Sequence, residues 1–342
     1  MGITETLEYI HNVKWRGSKL GLERTKGLMT TLGNPEKKLK FVHVAGTNGK
    51  GSTSACIASV LKEAGYKTGL FISPYIICFN ERMQINGENI SDEDLEQLTN
   101  EIRPIADAME DSPTEFELVT ALAMMYFHKK ECDIVVLEVG MGGRLDSTNV
   151  IDTPELAVIT AIGYDHVKEL GPTLNDIAGE KAGIIKHNGD VVIYGGEPEI
   201  TDVIEKKCVE QNARLIKTDF SRITVNGFLL DGIKFIFEPY AEMTLPLVGS
   251  YQPYNAALAI TAVELLRNKG YKIDDSDILN GIAKVKWPGR FEVIGKNPVF
   301  ILDGSHNPQG MEATAGSLVK HFGSDKKIIF VFGVWLIRIS KQ

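Results

Sequence analysis

The chain has 342 residues, of which 43% are hydrophobic and 24% are charged, and its formal net charge is −8. This length is too great for one simple core, so we expect two domains. The negative charge argues against nucleic acid or an anionic membrane as the main partner, and no apolar stretch approaches transmembrane length. The four cysteines, at positions 56, 78, 132 and 208, form no C-x-x-C pair, which favours buried reduced thiols in a cytoplasmic protein.

Apolar runs that alternate with helical patterns predict an α/β protein with a parallel sheet in the first two hundred residues. Hydrophobicity is continuous at 134–137 and 157–159, which indicates strands covered on both faces. The predicted strands are 40–45, 68–72, 133–139, 156–160 and 191–194, and the predicted helices are 91–109, 117–129 and 174–184.

The later part of the chain has a different pattern. Residues 213–247 contain short alternating runs around Asn226-Gly227 and Asp231-Gly232, and these predict a small antiparallel excursion. Trp287-Pro288-Gly289 interrupts the chain before a predicted strand at 299–302, so we place a domain boundary there and expect domains at 1–288 and 289–342. A further strand is predicted at 326–333.

The most informative motif is the segment from Val42 to Ser52, an apolar strand followed by a glycine-rich turn that contains Lys50. A helix is predicted to begin at Ser52 and to end before Gly65. Such glycines let backbone N–H groups approach a polyphosphate, and the helix N-terminus favours negative charge. The segment departs from the Walker pattern, because Val44 replaces the first glycine and Gly51 separates Lys50 from Ser52. It predicts a nucleoside triphosphate site; the alternative is an ordinary strand–turn–helix corner.

Polar residues follow three other predicted strands. Ser73 follows the second strand, Glu138 lies near the end of the third, and His166 comes shortly after the fourth. Ligands bind at the carboxyl ends of strands in open α/β sheets, so these side chains and the phosphate loop are predicted to face one cleft. Hydroxyl and carboxylate oxygens suit Mg²⁺, whereas imidazole is an unusual ligand for it. Taken singly, each residue also has an ordinary structural interpretation as a turn, surface or loop residue.

Many motifs, in order, resemble those of folylpolyglutamate and dihydrofolate synthases, which belong to the Mur ligase superfamily. The resemblance extends over almost the whole chain up to Val334. It implies a P-loop-containing, Mur-ligase-like parallel sheet domain followed by a smaller, here incomplete, α/β domain. The matching segments are 20–24, 43–52, 73–74, 81–82, 114–117, 137–146, 165–166, 180–183, 251–255, 288–291 and 302–308.

The resemblance implies an ATP-dependent ligation in which L-glutamate is joined to the carboxylate of a reduced folate or of dihydropteroate. The γ-phosphoryl group of ATP would first form an acyl phosphate, and the glutamate amine would then displace phosphate. The expected partners are ATP, glutamate, the folate or pteroate and two Mg²⁺ ions, and the expected oligomeric state is a monomer.

Residue roles are carried over on the matching positions. Lys50, Lys181 and His306 are implied to be catalytic, and Lys181 is expected to carry a carbamate that serves as a metal ligand. Ser73 and Glu138 would hold one Mg²⁺ and His166 a second. A capping role for His306 is the alternative. The implied ATP-binding residues are Thr47, Asn48, Gly49, Lys50, Gly51, Ser52, Asn255 at the adenine, Arg290 at the phosphates and Asp303 at the ribose.

The residues implied to bind the pteroate lie in segments that align with those lining the pteroate pocket in relatives. The Phe116 ring would offer the pterin a surface for stacking. The alternative interpretation is that Phe116 is an ordinary core residue. The implied residues are Leu20, Gly21, Leu22, Thr114, Phe116, Glu117, Leu145, Asp146 and Ser147.

The final residues, 335–342, depart from the family pattern, and restoring one thymine before the Trp335 codon returns a sequence similar to relatives. We therefore expect a frameshift and a truncated second domain, with ready aggregation and little ligase activity until the frame is restored. Two alternatives remain open at this point. One is a catalytically silent nucleotide-binding fragment, and the other is a different Mur-type ligase.

Overall fold

The computed structural model describes residues 2–13 and 21–333, so Leu20 and the tail at 334–342 lie outside the described residues. Its strands are β1 (Phe41–Ala45), β2 (Thr68–Phe71), β3 (Met83–Ile85), β4 (Glu88–Asn89), β5 (Ile134–Glu138), β6 (Leu156–Ile159), β7 (Asp190–Ile193), β8 (Arg214–Lys217), β9 (Ile223–Leu229), β10 (Gly232–Phe237), β11 (Met243–Leu245), β12 (Glu292–Lys296) and β13 (Val299–Leu302). Its α-helices are α1 (Ile3–His11), α2 (Glu23–Thr31), α3 (Lys50–Glu63), α4 (Asp92–Ala108), α5 (Glu115–Lys129), α6 (Val167–Leu170), α7 (Leu174–Ala182), α8 (Pro198–Glu210), α9 (Gln252–Asn268), α10 (Asp275–Lys284) and α11 (Pro308–Phe322).

The large sheet contains eight strands in the order β4-β3-β2-β5-β1-β6-β7-β8. The six strands from β2 to β8 in this order pair in parallel, and β3 and β4 form an antiparallel hairpin at one edge. All five strands predicted in this part of the chain are present, and the parallel arrangement is confirmed. The order places the phosphate-loop strand β1 between β5 and β6.

Helices cover both faces of this sheet. In β5, Ile134 and Val136 pack into a core with α3, α9 and α10, whereas Val135 and Leu137 pack into a core with α4 and α5. All four side chains are fully buried. Because both faces are covered, the strand is apolar at consecutive positions rather than at alternate ones, which explains the continuous hydrophobicity of its sequence.

Two helices begin earlier than predicted. Helix α3 begins at Lys50 rather than Ser52, because Gly49 adopts φ +87° and completes the turn that starts the helix. Helix α5 begins at Glu115 rather than residue 117. Thr114 accepts a hydrogen bond from the Glu117 N–H and Glu117 accepts one from the Thr114 N–H, a capping box that determines the start.

The predicted antiparallel excursion at 213–247 is partly wrong. Strand β8 joins the main sheet in parallel with β7, because α8 provides a crossover between them. Only β9, β10 and β11 form the antiparallel sheet, in the order β11-β10-β9. This small sheet packs through Phe235 and Leu245 into the core shared with α9 and α10.

The C-terminal unit consists of the antiparallel pair β12 and β13 and the helix α11. The predicted strand at 299–302 is present as β13, and its partner β12 was not predicted. The prediction of a strand at 326–333 is wrong, because the described structure has no strand at residues 323–333. Ile329 is 83% exposed and Val331 is 90% exposed. An apolar sequence forms a stable β-strand only when a neighbouring strand pairs with it, and these residues have no such neighbour in the described structure.

Three of the four cysteines are buried, as the sequence predicted. Cys56, Cys132 and Cys208 are buried free thiols, whereas Cys78 is exposed in the loop after β2, so the prediction of burial is wrong for Cys78. Within residues 2–13 and 21–333, no helix has the length and apolar character needed to span a bilayer.

Candidate functional site

A cleft of about 750 Å³ lies at the carboxyl ends of β1, β2, β5 and β6, with the C-terminal unit forming its opposite wall. The structure brings most of the residues singled out in the sequence to this cleft. Those that line it are Thr47, Asn48, Gly49, Lys50, Gly51, Ser52, Ser73, Thr114, Phe116, Glu138, Leu145, Asp146, Ser147, His166, Lys181, Asn255, Arg290 and His306.

Four of the remaining residues lie away from the lining of the cleft. Gly21 and Leu22 lie at the start of α2, and Glu117 is buried in an ion pair with Arg24 (2.9 Å). Asp303 accepts hydrogen bonds from the Phe291 N–H (2.7 Å), the Ser305 N–H and the Thr314 hydroxyl. Its carboxylate therefore holds together the loops that carry Arg290 and His306.

The phosphate loop is fixed against the end of β6. The Thr47 hydroxyl donates to the Gly163 carbonyl (3.0 Å) and accepts from the Gly163 N–H (3.1 Å). Gly46 adopts φ +152°, and a Cβ there would lie 1.8 Å from Thr160 Oγ1, so only glycine fits. A Cβ at Gly51 would lie 2.2 Å from the Trp287 ring. The glycines are thus required by close packing as well as by access for a phosphate.

Two lysines converge on one carbonyl oxygen of this loop. Lys50 Nζ donates to Gly46 O (3.2 Å), and Lys181 Nζ donates to the same oxygen (2.8 Å). Lys181 is 3% exposed, although the sequence alone suggested a solvated helix surface. Burial, together with repulsion from Lys50, lowers the pKa of Lys181 to about 7. A large fraction of this amine is therefore neutral near neutral pH.

Glu138 is a buried carboxylate at the end of β5. It is 4% exposed, and its Oε2 accepts a hydrogen bond from the Ser73 N–H (3.3 Å). Burial raises the pKa of Glu138 to about 7, while the charges of Lys50, Arg290 and Arg82 oppose this shift. A carboxylate in this setting gains strongly from a cation placed beside it.

The residues present suit a magnesium ion only in part. Ser73 and Glu138 offer two hard oxygen donors at adjacent strand ends, and Mg²⁺ usually takes its other ligands from water and phosphate. No group of three His, Cys, Asp or Glu side chains in the described part of the chain is arranged to hold a metal. His166 Nε2 already lies 3.8 Å from Asp165 Oδ1. The donor set therefore fits a phosphate-bridged ion better than a metal held by protein alone.

The other end of the cleft is shaped by hydrogen-bonded loops. Asp146 is buried, accepts from the Met141 N–H (2.8 Å) and from the Thr148 N–H (3.0 Å), and holds the loop after β5. The Phe116 ring packs against Gly140, where a Cβ would lie 2.5 Å from the ring. The result is a recess with an aromatic wall beside the phosphate loop.

A polar junction that the sequence did not predict joins the phosphate loop to the C-terminal unit. The Asn48 amide donates to Gln309 Oε1 (2.7 Å) and to Asn307 Oδ1 (3.1 Å). His306 Nε2 lies 3.6 Å from Asp165 Oδ2. Burial alone would raise the pKa of Asp165, but bonding to His306 and the charge of His166 lower it below its usual value. The only sequence signal was that Asn48 and Asn307 occur within matching motifs, and Gln309, which follows the last of these motifs, had none.

The expected adenine contact lies beside an aromatic cluster. Asn255 is 4% exposed and donates to Gln252 Oε1 (3.0 Å), and Gln252 in turn donates to Ser52 Oγ (3.2 Å). The rings of Tyr194 and Phe220 lie 4.6 Å apart, and Tyr194 lines the cleft. These aromatic residues come from separate segments, so their proximity had no sequence signal.

The chain matches two protein-family models, the Mur ligase middle domain over residues 44–263 and the Mur ligase glutamate ligase domain over residues 289–338. It is 43% identical over 329 residues to the dihydrofolate synthase/folylpolyglutamate synthase of Bacillus subtilis, covering 93% of this chain and 76% of that protein. The chain belongs to the folylpolyglutamate and dihydrofolate synthase family of Mur ligases. It is therefore an ATP-dependent acid–amino-acid ligase.

Further members of the folylpolyglutamate synthase family agree in sequence and fold. The folylpolyglutamate synthase of Lacticaseibacillus casei is 36% identical over 343 residues, covering 96% of this chain and 79% of that protein. A solved FPGS complex with AMPPCP and folate has a TM-score of 0.88 and 35% identity, covering 95% of this chain and 82% of that chain. The mixed α/β architecture with a large, mainly parallel sheet is that of the family.

Proposed function

We propose that this ligase joins L-glutamate to the carboxylate of a reduced folate or of dihydropteroate. An oxygen of the acid attacks the γ-phosphorus of ATP, ADP leaves, and an acyl phosphate forms. The glutamate amine then attacks the acyl carbon, phosphate leaves, and the amine loses a proton. The observation that carries this proposal is one cleft in which a phosphate loop adjoins a recess with an aromatic wall. All proposed contacts come from one chain, so the reaction needs no second copy, and we place it in the cytoplasm, where ATP and glutamate are abundant.

For ATP, we assign the phosphates to the loop from Thr47 to Ser52 and to Arg290. Lys50 now donates only to loop carbonyls, so its three donors can turn to phosphate oxygens when the nucleotide binds. Asn255 is assigned to the adenine and Asp303 to the ribose. The bonds of Asp303 to two backbone N–H groups mean that ribose binding would use its remaining acceptor capacity.

For Mg²⁺, we assign Ser73 and Glu138 to one ion and His166 with carbamylated Lys181 to a second. A bound magnesium ion would neutralise charge on the phosphates and on the transferring phosphoryl group. The support from the structure is the buried position of Glu138 and its contact with Ser73.

For Lys181, we propose carbamylation by CO₂. The neutral amine attacks CO₂ and loses a proton, which turns a cation into a carboxylate-like group. Two observations support this assignment: the 3% exposure of Lys181 and the lowering of its pKa to about 7. His306 is assigned to the transferring phosphate, held in place by its contact with Asp165.

For the acid, we assign Thr114, Phe116, Leu145 and Ser147 to the pterin recess, with Asp146 shaping its wall. Glu117, Gly21 and Leu22 lie outside the lining and would act only through α2 and α5. We also propose the domain boundary at residues 288–289, which is supported by the gap between the two matching family models.

The test is ADP release measured with dihydropteroate and with tetrahydrofolate separately, each with and without glutamate. The proposed ligation predicts ADP release that depends on both glutamate and an acid, together with a product heavier than the acid by one glutamyl residue, whereas a catalytically silent nucleotide-binding fragment would give neither. Release that is independent of glutamate, or the absence of a glutamylated product with both acids, would refute the proposal.

A further inference from the structure

Arg82 and Ser73 both line the cleft, and two nitrogens of the Arg82 guanidinium have no hydrogen-bonded partner among the described residues. Its Nε and Nη1 are shielded from solvent and receive no acceptor from residues 2–13 or 21–333. The main chain is well fixed, since the Arg82 carbonyl accepts a hydrogen bond from the Ile72 N–H (3.1 Å). A buried charge without a partner is costly, so this arrangement needs a functional reason.

The groups packed on the guanidinium are aromatic. The Tyr75 ring centroid lies 5.2 Å from Arg82 Cζ and the Phe79 centroid lies 5.7 Å from it. Ring faces attract a cation but leave its N–H donors without acceptors. Burial lowers the pKa of Arg82, yet arginine keeps its proton in proteins. The side chain is thus held as a partly desolvated cation.

The carboxylates nearby are already engaged. Glu81, the preceding residue, accepts hydrogen bonds from the N–H groups of residues 76–78 at 2.8, 2.9 and 3.0 Å. Glu115 contacts His11 (3.1 Å), and Glu138 is assigned to the metal. Among the residues that the structure describes, none forms an ion pair with Arg82, which leaves its guanidinium available to the anion of a bound ligand.

The position of Arg82 indicates which anion this is. Its charge interacts with that of Glu138 on the phosphate side and with that of Glu115 on the side of the recess. Glu115 stands between Thr114 and Phe116, which line the recess. An anion beside Arg82 therefore lies between the phosphate loop and the recess, where the carboxylate of the acid has to meet the γ-phosphate.

We infer that Arg82 binds a carboxylate of the acid substrate. This inference rests on the proposed function and extends it to the group that selects an acid. The planar guanidinium presents two parallel N–H donors to a carboxylate, and a charge-assisted pair of this kind gives both affinity and orientation. Dihydropteroate carries one carboxylate, which is the reacting one. Tetrahydrofolate carries two, both on its glutamyl group, because its pteroyl carbonyl is part of an amide, and only one of the two reacts. The two acids therefore distinguish which carboxylate is bound.

The experiment compares the parent chain with two variants and one control. Arg82→Met removes the charge and keeps an unbranched side chain against Tyr75 and Phe79, whereas Arg82→Lys keeps the charge and loses the planar fork. Arg103→Met is the control, because Arg103 also lies over a ring, that of Tyr9 at 4.9 Å, on α4 and away from the cleft. Binding of each acid is followed by pterin fluorescence, and KM and kcat are measured for acid, ATP and glutamate.

We expect Arg82→Met to weaken acid binding by about tenfold or more, with a smaller loss for Arg82→Lys, and to leave ATP affinity unchanged. The Tm of unliganded Arg82→Met should equal or exceed that of the parent, because an unpaired buried charge has been removed. Weakened binding of both acids assigns Arg82 to the reacting carboxylate, and weakened binding of tetrahydrofolate alone assigns it to the second carboxylate.

Unchanged acid affinity in Arg82→Met would overturn the inference, as would an increase confined to the KM for glutamate. If the parent binds and ligates an acid and Arg82→Met matches it, only the assignment of Arg82 fails. If the parent binds neither acid, the proposed function and the assignment fail together.

Discussion

The two halves of the cleft use their charged residues differently. In the phosphate half, Lys50 and Lys181 donate to the same Gly46 carbonyl, and Glu138 accepts a bond from the Ser73 N–H. On the acid side, Asp146 in the lining and Glu81 and Glu117 outside it accept hydrogen bonds from backbone N–H groups and hold loops in place. These carboxylates look equivalent in the sequence. In the structure, Glu138 can bind a ligand, whereas Glu81, Glu117 and Asp146 stabilise loops.

This difference teaches that burial alone does not identify a functional carboxylate. Glu138 is 4% exposed and Glu117 is 2% exposed, yet Glu117 is compensated by Arg24 at 2.9 Å while Glu138 faces several cations without a direct ion pair. What separates them is the presence or absence of a partner inside the chain. The predictions below test this contrast.

The largest effect is expected for Glu138→Ala. The variant should keep its fold and lose ligation by more than about a thousandfold, because a metal ligand in the cleft is removed. Turnover is measured at saturating Mg²⁺, with Glu63→Ala, which removes a carboxylate paired with Lys284, as the control. Activity within about tenfold of the parent, or roughly 1.4 kcal/mol in the barrier, would remove Glu138 from the metal site.

The next effect is on stability rather than on chemistry. Glu117→Ala should lower the free energy of unfolding by about 3 kcal/mol, because Arg24 would lose its buried ion pair at 2.9 Å and the α5 cap would be lost. Denaturant unfolding is compared with that of Glu115→Ala, whose side chain is more exposed and contacts His11. Equal stability of the two variants would contradict the structural role given to Glu117.

A pH-dependent effect is expected for Lys181→Met in carbonate-free buffer. The folded pKa of Lys181 is about 7, below the usual value for lysine, so the folded state disfavours the charged amine. The penalty is fully present below about pH 7 and disappears as the pH rises towards the unfolded pKa near 10.4. Lys181→Met should therefore raise Tm more at about pH 6 than at about pH 10.

For this variant the matched control is Lys129→Met, which changes a lysine that is paired with Glu101 at the surface. A gain in Tm that does not depend on pH would show that the folded pKa of Lys181 is not lowered.

The smallest effect is expected at the polar junction. Gln309→Ala removes neutral hydrogen bonds to Asn48 (2.7 Å) and to the Ile162 carbonyl (3.3 Å). Each such bond contributes about 1 kcal/mol, and only the one to Asn48 holds a residue of the phosphate loop, so the KM for ATP should rise about fivefold with little change in kcat. Gln97→Ala, which affects a surface amide paired with Glu101, is the control. A loss in kcat of more than about a hundredfold would mean that Gln309 acts in the chemical step.

Much of the fold was predictable because its signals are local. The strands at the centre of the sheet are apolar at consecutive positions, and the phosphate loop carries its glycines and Lys50 within a few residues. The same locality explains the failures. Arg214–Lys217 joined the parallel sheet and residues 326–333 formed no strand, because strand pairing depends on which partner lies alongside.

The sequence by itself determined the order of strands and loops that brings Lys50, Ser73 and Glu138 to one edge of the sheet. Only the tertiary structure decided how each charge is used. It buried Lys181 against Gly46, paired Glu117 with Arg24 and left Arg82 between aromatic rings. Desolvation and ion pairing depend on distances between residues that are often more than ninety positions apart along the chain, as for Glu117 and Arg24, and no local pattern records those distances.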